Sequence, residues 1–205
     1  MRYKMVYPNE LAGIKRGEPM TWDGADHGKP NPHYGKGGGY RVNCQTCVVA
    51  FEARLRGFDV QALPYATGSQ LQKLSYKTNL AWLDVNTGKH PDYIVGNNVE
   101  TAKQCKVFLE QNVEKGSRYT FEFDWKKGGG HIVTVDKNAD GSLRLYDPQD
   151  GKSYTGAQVD RYLGDLKYSA KSYGVTVPLP PKVLRVDDKG FDVDTVNKIL
   201  EGANP

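Results

Sequence analysis

From Asn43 onward the chain carries its apolar residues at helical spacing: in NCQTCVVAFEARLRG, Cys44, Cys47, Val48, Phe51 and Leu55 fall at i, i+3, i+4, i+7 and i+11. That stripe predicts a buried helix starting at Cys44, with Asn43 as its N-cap and Gly57 as its stop. A second helix is expected over roughly residues 99–114, where Ala102, Cys105, Phe108 and Leu109 share a face and Gly116 comes after them. The period then changes to two. Tyr119, Phe121, Phe123 and Trp125 alternate with polar neighbours, and HIVTV and SLRLYD are two further strand-like runs joined by KNADG, whose Asp-Gly favours a turn. Pairing residue 136 with about 142 across that turn sets Asp147 directly opposite His131. A last helix is expected from about Val193 to Leu200, after the proline-rich PLPPK.

The first forty residues fit neither pattern. TWDGADHGKPNPHYGKGGG is turn-forming in composition, so residues 1–40 read as an irregular arm, anchored by Trp22 and Tyr34, on a domain spanning 41–205. A chain of 205 residues with 38% hydrophobic and 25% charged residues suits one core. The net charge of +4 is spread along the chain rather than gathered into a basic run, which implies no nucleic-acid partner. No apolar run approaches the ~18 residues of a membrane helix. With Met1 as the native start, MRYKMVYPNELAGIKRG carries no leader, and synthesis in the cytoplasm is expected. Three cysteines are too few to staple a chain of this size, which fits a reducing compartment.

Cys44 is where chemistry is expected. A thiol in the first turn of a helix meets the positive end of the macrodipole and unpaired backbone N–H groups, both of which favour thiolate. Cys47, one turn further in, and Cys105, beside Phe108, read as small apolar filler. The spelling CxxC also fits a thioredoxin-type redox pair, but no parallel strand–helix–strand pattern surrounds it. A thiolate needs a base and the base an orienting group. His131 opens a strand after three glycines and suits the first role; Asp147 suits the second, although an Asp-Pro can equally well just end a strand in a turn. His27 and His33, in the arm, and His90, in TGKHPD, read as solvated. The glycine runs at 37–39 and 128–130 lack phosphate-loop spacing and read as flexible loops.

The segments NCQTCVVAFEARLRGFDVQALP, GGGHIVTVDKNADGSLRLYDPQDG and KVLRVDD together resemble the papain-fold toxin domains of bacterial polymorphic toxin systems and the related papain-like domains of phage minor head proteins, over about residues 22–200. The resemblance implies an α+β, papain-like fold, with a nucleophile helix packed on an antiparallel sheet. It also implies a cysteine hydrolase with a Cys44, His131, Asp147 triad, most often a deamidase of protein glutamine, with Gln149 of the DPQ element positioning the substrate or the oxyanion. By analogy with papain itself Cys47 would be the nucleophile; Cys44 is preferred because it begins the helix and comes directly after the asparagine of the toxin motif. No metal or cofactor is implied. The partners would be a target protein and an immunity protein, with neither nucleic acid nor membrane, and the chain would be delivered into a target cell or carried in a virion. A cysteine peptidase with the same triad and a structural module of a virion remain the alternatives.

Overall fold

A computed structural model describes residues 8–203; residues 1–7, which begin both the expected arm and the segment read for a leader, and 204–205 lie outside the described residues. Helices mix with strands whose pairings, among the described residues, are all antiparallel, the α+β class expected. The chain forms two compact units. The first comprises residues up to Pro91, Asp147–Lys152 and the segment from Val186 onward; the second comprises Asp92–Tyr146 and Ser153–Arg185.

At the centre of the first unit lies the helix Cys44–Leu55, starting where the apolar spacing begins. It is more than a striped surface helix. Every residue from Thr46 to Arg54 is buried, including the polar Thr46, Glu52 and Arg54, because other segments cover its remaining faces. Trp22 of the short helix Trp22–Ala25 packs edge-on against Phe51 with ring centroids 4.8 Å apart, as an anchor should, whereas Tyr34 stays exposed and anchors nothing. The helix stops at Gly57, whose φ of 100° suits a residue without Cβ. A Cβ there would also lie 2.3 Å from the Gly17 carbonyl oxygen, so no other residue fits. Strand Val60–Ala62 returns beside the helix and pairs with Leu200–Gly202.

That pairing shortens the last helix. Only Val193–Val196 is helical, because Leu200 is drawn into a ladder opposite Ala62 and the backbone must straighten before it arrives. His90 is an exposed loop residue, as expected, with two polar neighbours. Its Nδ1 lies 2.9 Å from the Trp82 carbonyl oxygen and its Nε2 3.6 Å from the Asp192 carboxylate.

The second unit is a sheet carrying two helices. Strand order runs Ile94–Val95, Lys182–Arg185, Tyr119–Trp125, Gly130–Lys137, Leu143–Asp147, Lys152–Thr155, and Leu166–Lys167 adds to the end of Tyr119–Trp125. The odd residues of SRYTFEFDW share one core with Val133, Val135, Leu143 and Leu145 and with the apolar residues of helices Ala102–Asn112 and Ala157–Gly164. The first of these helices is the one expected, capped by Thr101, whose hydroxyl accepts from the Gln104 N–H. Cys105 is buried in this core, and burial pushes its thiol up to about 12, against a smaller opposing hydrogen bond from Tyr168. The filler reading holds for it. Helix Ala157–Gly164 carries only Val159, Tyr162 and Leu163 as buried residues, too few in eight positions to stand out in the sequence.

The hairpin around KNADG forms, but two residues out from the expected register. Its ladder runs from Thr134↔Tyr146 to Lys137↔Leu143, with Asn138–Ser142 closing the turn. Residue 147 is therefore not directly opposite His131. The reason lies in the loop, where Asp140 accepts from the Ser142 N–H and hydroxyl and the Asn138 N–H bonds the Ser142 carbonyl, tightening the turn. A two-residue slip, unlike a one-residue slip, leaves every side chain on the face it had.

Candidate active site

Cys44 is the first residue of its helix, and the behaviour of Asn43 explains what surrounds it. An N-cap asparagine ordinarily turns its side-chain oxygen onto the N–H of the second or third helical residue. Asn43 does not. Its Oδ1 accepts instead from Gln149 Nε2 at 3.3 Å and Asn31 Nδ2 at 3.4 Å, and its Nδ2 donates to Asn31 Oδ1 at 3.2 Å and the Leu63 carbonyl at 3.1 Å. The Asn43 carbonyl takes the N–H groups of Thr46 and Cys47. The N–H groups of Cys44 and Gln45 precede this first intrahelical bond and receive no side-chain cap. Beside them Cys44, a residue 7% exposed, donates its thiol to Gln45 Oε1 at 3.6 Å, and Gln45 Nε2 reaches Ser75 Oγ at 3.4 Å.

The two cysteines of the CxxC differ sharply. All three cysteines are free thiols. Cys47 is completely buried, and that burial, with charge on Cys44 and on Asp147 as smaller causes, holds its thiol well above the usual range. A thiol that resists ionisation is a poor nucleophile. Cys44 is also buried, but less completely. Mild iodoacetamide at neutral to slightly alkaline pH should therefore modify Cys44 well before Cys47 or Cys105, as read by peptide mapping of the native protein. Modification concentrated on Cys47 would move the nucleophile one turn along the helix.

Asp147 ends its strand, as an Asp-Pro does, and also organises the turn after it. Its Oδ1 accepts the Gln149 N–H at 2.9 Å, and its carbonyl accepts the Gly151 N–H at 2.8 Å. Both Asp147 and Gln149 are buried, and the charge on Asp147 is felt at Cys47. Cys44, Asp147 and Gln149 thus belong to one unit, with the Gln149 amide bound to the residue that precedes Cys44. His131 belongs to the second unit, where it pairs with Phe123 across a tight turn. Its ring lies 5.8 Å from Phe123 and 5.7 Å from Trp125, centroid to centroid. Gly128 and Gly129, both at positive φ, form that turn rather than a loose loop: Gly128 N–H donates to the Trp125 carbonyl and Trp125 N–H to the Gly129 carbonyl.

Asn31, Gln45 and Ser75 do not stand out in the sequence as site residues. Gln45 carried a signal, being adjacent to Cys44; Asn31 lay inside a turn-rich stretch where an asparagine is unremarkable. Among the described residues no group of three or more His, Cys, Asp or Glu is arranged to hold a metal ion, and no helix is long and apolar enough to cross a membrane.

The family model described as papain fold toxin 1, glutamine deamidase, matches residues 42–152. No curated protein matches the chain. Among solved structures, the crystal structure of the Pseudomonas avirulence protein AvrPphB is similar at 10% identity and a TM-score of 0.31, over 46% of this chain and 50% of that one. The chain thus spans about half the length of that structure, a likeness too slight to bear on function.

Proposed function

Since the chain belongs to the papain fold toxin 1, glutamine deamidase family, whose match covers more than half of it, we propose that it is a papain-like cysteine hydrolase that converts a glutamine side chain of a target protein to glutamate. The observation that carries this reading is that matched span, which contains Cys44, His131, Asp147 and Gln149. Support comes from the helix start, where Cys44 is buried less completely than Cys47.

In this reading His131 takes the thiol proton and Asp147 holds the imidazole in the tautomer that can do so. The sulfur attacks the carboxamide carbon. The uncapped N–H groups of Cys44 and Gln45 receive the oxyanion, a role suited to donors already fixed in a helix start. The C–N bond breaks as His131 returns the proton to the nitrogen, and ammonia leaves a thioester on Cys44. Water, deprotonated by His131, then attacks the thioester and releases glutamate and the thiol. Gln149, its Nε2 directed to Asn43, acts by holding the helix start rather than by touching substrate. The chain works as a toxin inside a target cell, and an immunity protein is the partner that would block it in the producing cell.

The test is to incubate the chain with folded candidate proteins and measure both ammonia and fragments. The expected result is ammonia release that depends on Cys44, a glutamine-to-glutamate change by mass spectrometry, and no new band on a gel. Unfolded casein should be a poor substrate, because recognition of one glutamine requires the surface around it. Cys44-dependent cutting without ammonia would establish a peptidase instead.

A further inference from the structure

Asn31 lies in the arm, thirteen residues before Cys44 and 118 residues before Gln149, yet it is only 1% exposed. Its Nδ2 donates to the carbonyls of Tyr40 and Gln149, each at 2.9 Å, and approaches Asn43 Oδ1 at 3.4 Å; its Oδ1 accepts from Asn43 Nδ2 at 3.2 Å. The orientation of this amide is not ambiguous, since backbone carbonyls only accept and the nitrogen must face them. The loop that presents Asn31 is itself held. The Pro30 carbonyl accepts the Ala62 N–H at 2.8 Å, and the Gly28 backbone nitrogen lies 3.3 Å from where a Cβ of Gly151 would stand, so loop and turn are in close approach.

We propose that Asn31 is a positioning residue for the thiol chemistry, clamping the turn that carries Asp147 and Gln149 to the Asn43–Cys44 helix start. This rests on the function proposed above. The clamp acts through backbone and amide groups: Asn31 holds the Gln149 carbonyl, the Gln149 N–H holds the Asp147 carboxylate, and the Gln149 side chain holds Asn43. A buried polar network in which each member is bonded to the others defines one geometry, and misplacement of a catalytic group by about 1 Å can cost on the order of 100-fold in rate. Asn31→Ala removes the clamp and leaves two carbonyls without their donor. Asn31→Asp keeps the shape but turns an acceptor oxygen toward those carbonyls.

The experiment measures the rate of Cys44 alkylation by iodoacetamide in the full chain, with an unfolded control at the same pH, peptide mapping and a melting curve for each variant. In the unsubstituted chain Cys44 should be alkylated faster than in the unfolded control. In Asn31→Ala and Asn31→Asp that rate should fall about ten-fold or more, while the variants still melt cooperatively. A change in melting temperature alone, with the rate intact in both variants, would overturn the inference while leaving the function standing. Failure of both variants to fold would also overturn it, by making Asn31 a structural residue. Alkylation of Cys44 no faster than in the unfolded control in the unsubstituted chain would overturn the nucleophile assignment and this inference with it.

Discussion

Cys44→Ala and His131→Ala should each lower the turnover of a protein glutamine by on the order of 10⁴-fold or more, and the double variant should fall no further. Nucleophile and base act as one unit in the proposed mechanism: with no thiolate the base has nothing to activate, and with no base the thiol stays protonated. The third member needs a more careful substitution. Asp147 Oδ1 also holds the Gln149 N–H, so Asp147→Ala would disturb the turn as well as remove a charge. Asp147→Asn keeps an oxygen for that N–H and removes only the charge that would stabilise an imidazolium. A loss on the order of 10³- to 10⁴-fold is expected for it, in a protein with an unchanged melting temperature. Turnover is read as ammonia released per enzyme, and unchanged turnover in His131→Ala would sink the triad.

Removing one partner of the buried Glu52–Arg56 pair should cost about 3–5 kcal/mol of stability. Arg56 Nε donates to Glu52 Oε1 at 2.9 Å, and the two side chains are 6% and 3% exposed, arginine first. The guanidinium also donates to the Val186 carbonyl at 2.6 Å and the Lys189 carbonyl at 2.7 Å, and lies over the Phe191 ring at 4.5 Å. It therefore latches the turn at Val186–Lys189 onto the end of the central helix. Glu52→Leu removes the carboxylate to which Arg56 Nε donates, and Arg56→Met removes that donor and the donors of the Val186 and Lys189 carbonyls. Urea unfolding should show each single variant destabilised by several kcal/mol. The double variant Glu52→Leu/Arg56→Met should lose less than the sum, because the two side chains bond each other and the loss of that contact is counted once. Losses below about 1 kcal/mol in both single variants would mean that water reaches the pair and that it behaves as a surface bridge.

Nothing in the sequence marks that pair as buried. Glu and Arg four apart on a helix are ordinary surface partners, and the apolar stripe of Cys44, Cys47, Val48, Phe51 and Leu55 predicts a buried helix without showing what covers its charged residues. The structure covers the stripe from the arm, with Trp22 against Phe51, and the charged residues from the tail, with the Val186–Lys189 turn against Arg56. Coverage by segments remote in the chain leaves no trace in local spacing. The same holds for Asn43, which is legible as an N-cap from position alone, while the diversion of its side chain to Asn31 and Gln149 is not.

The sequence by itself determined where the helix of Cys44 begins and ends, the helix around Cys105 and the three strands from Tyr119 to Asp147. Helical and strand periods, caps and turn residues act within one turn or one pleat of the chain, so their energetics are written locally. It also singled out Cys44 over Cys105, since a helix start and a mid-helix apolar stripe are both local features. The tertiary structure decided what depends on distant partners. It buried Cys47 within reach of the Asp147 charge and thereby separated it from Cys44, and it shifted the hairpin register by two residues through side-chain bonds in the turn. It drew Leu200 out of a helix into a ladder with Ala62, and it carried Asn31 to Gln149. In each case two or more alternatives satisfied the local rules equally, and the choice among them fell to burial and hydrogen bonding of groups that meet only when the whole chain has folded.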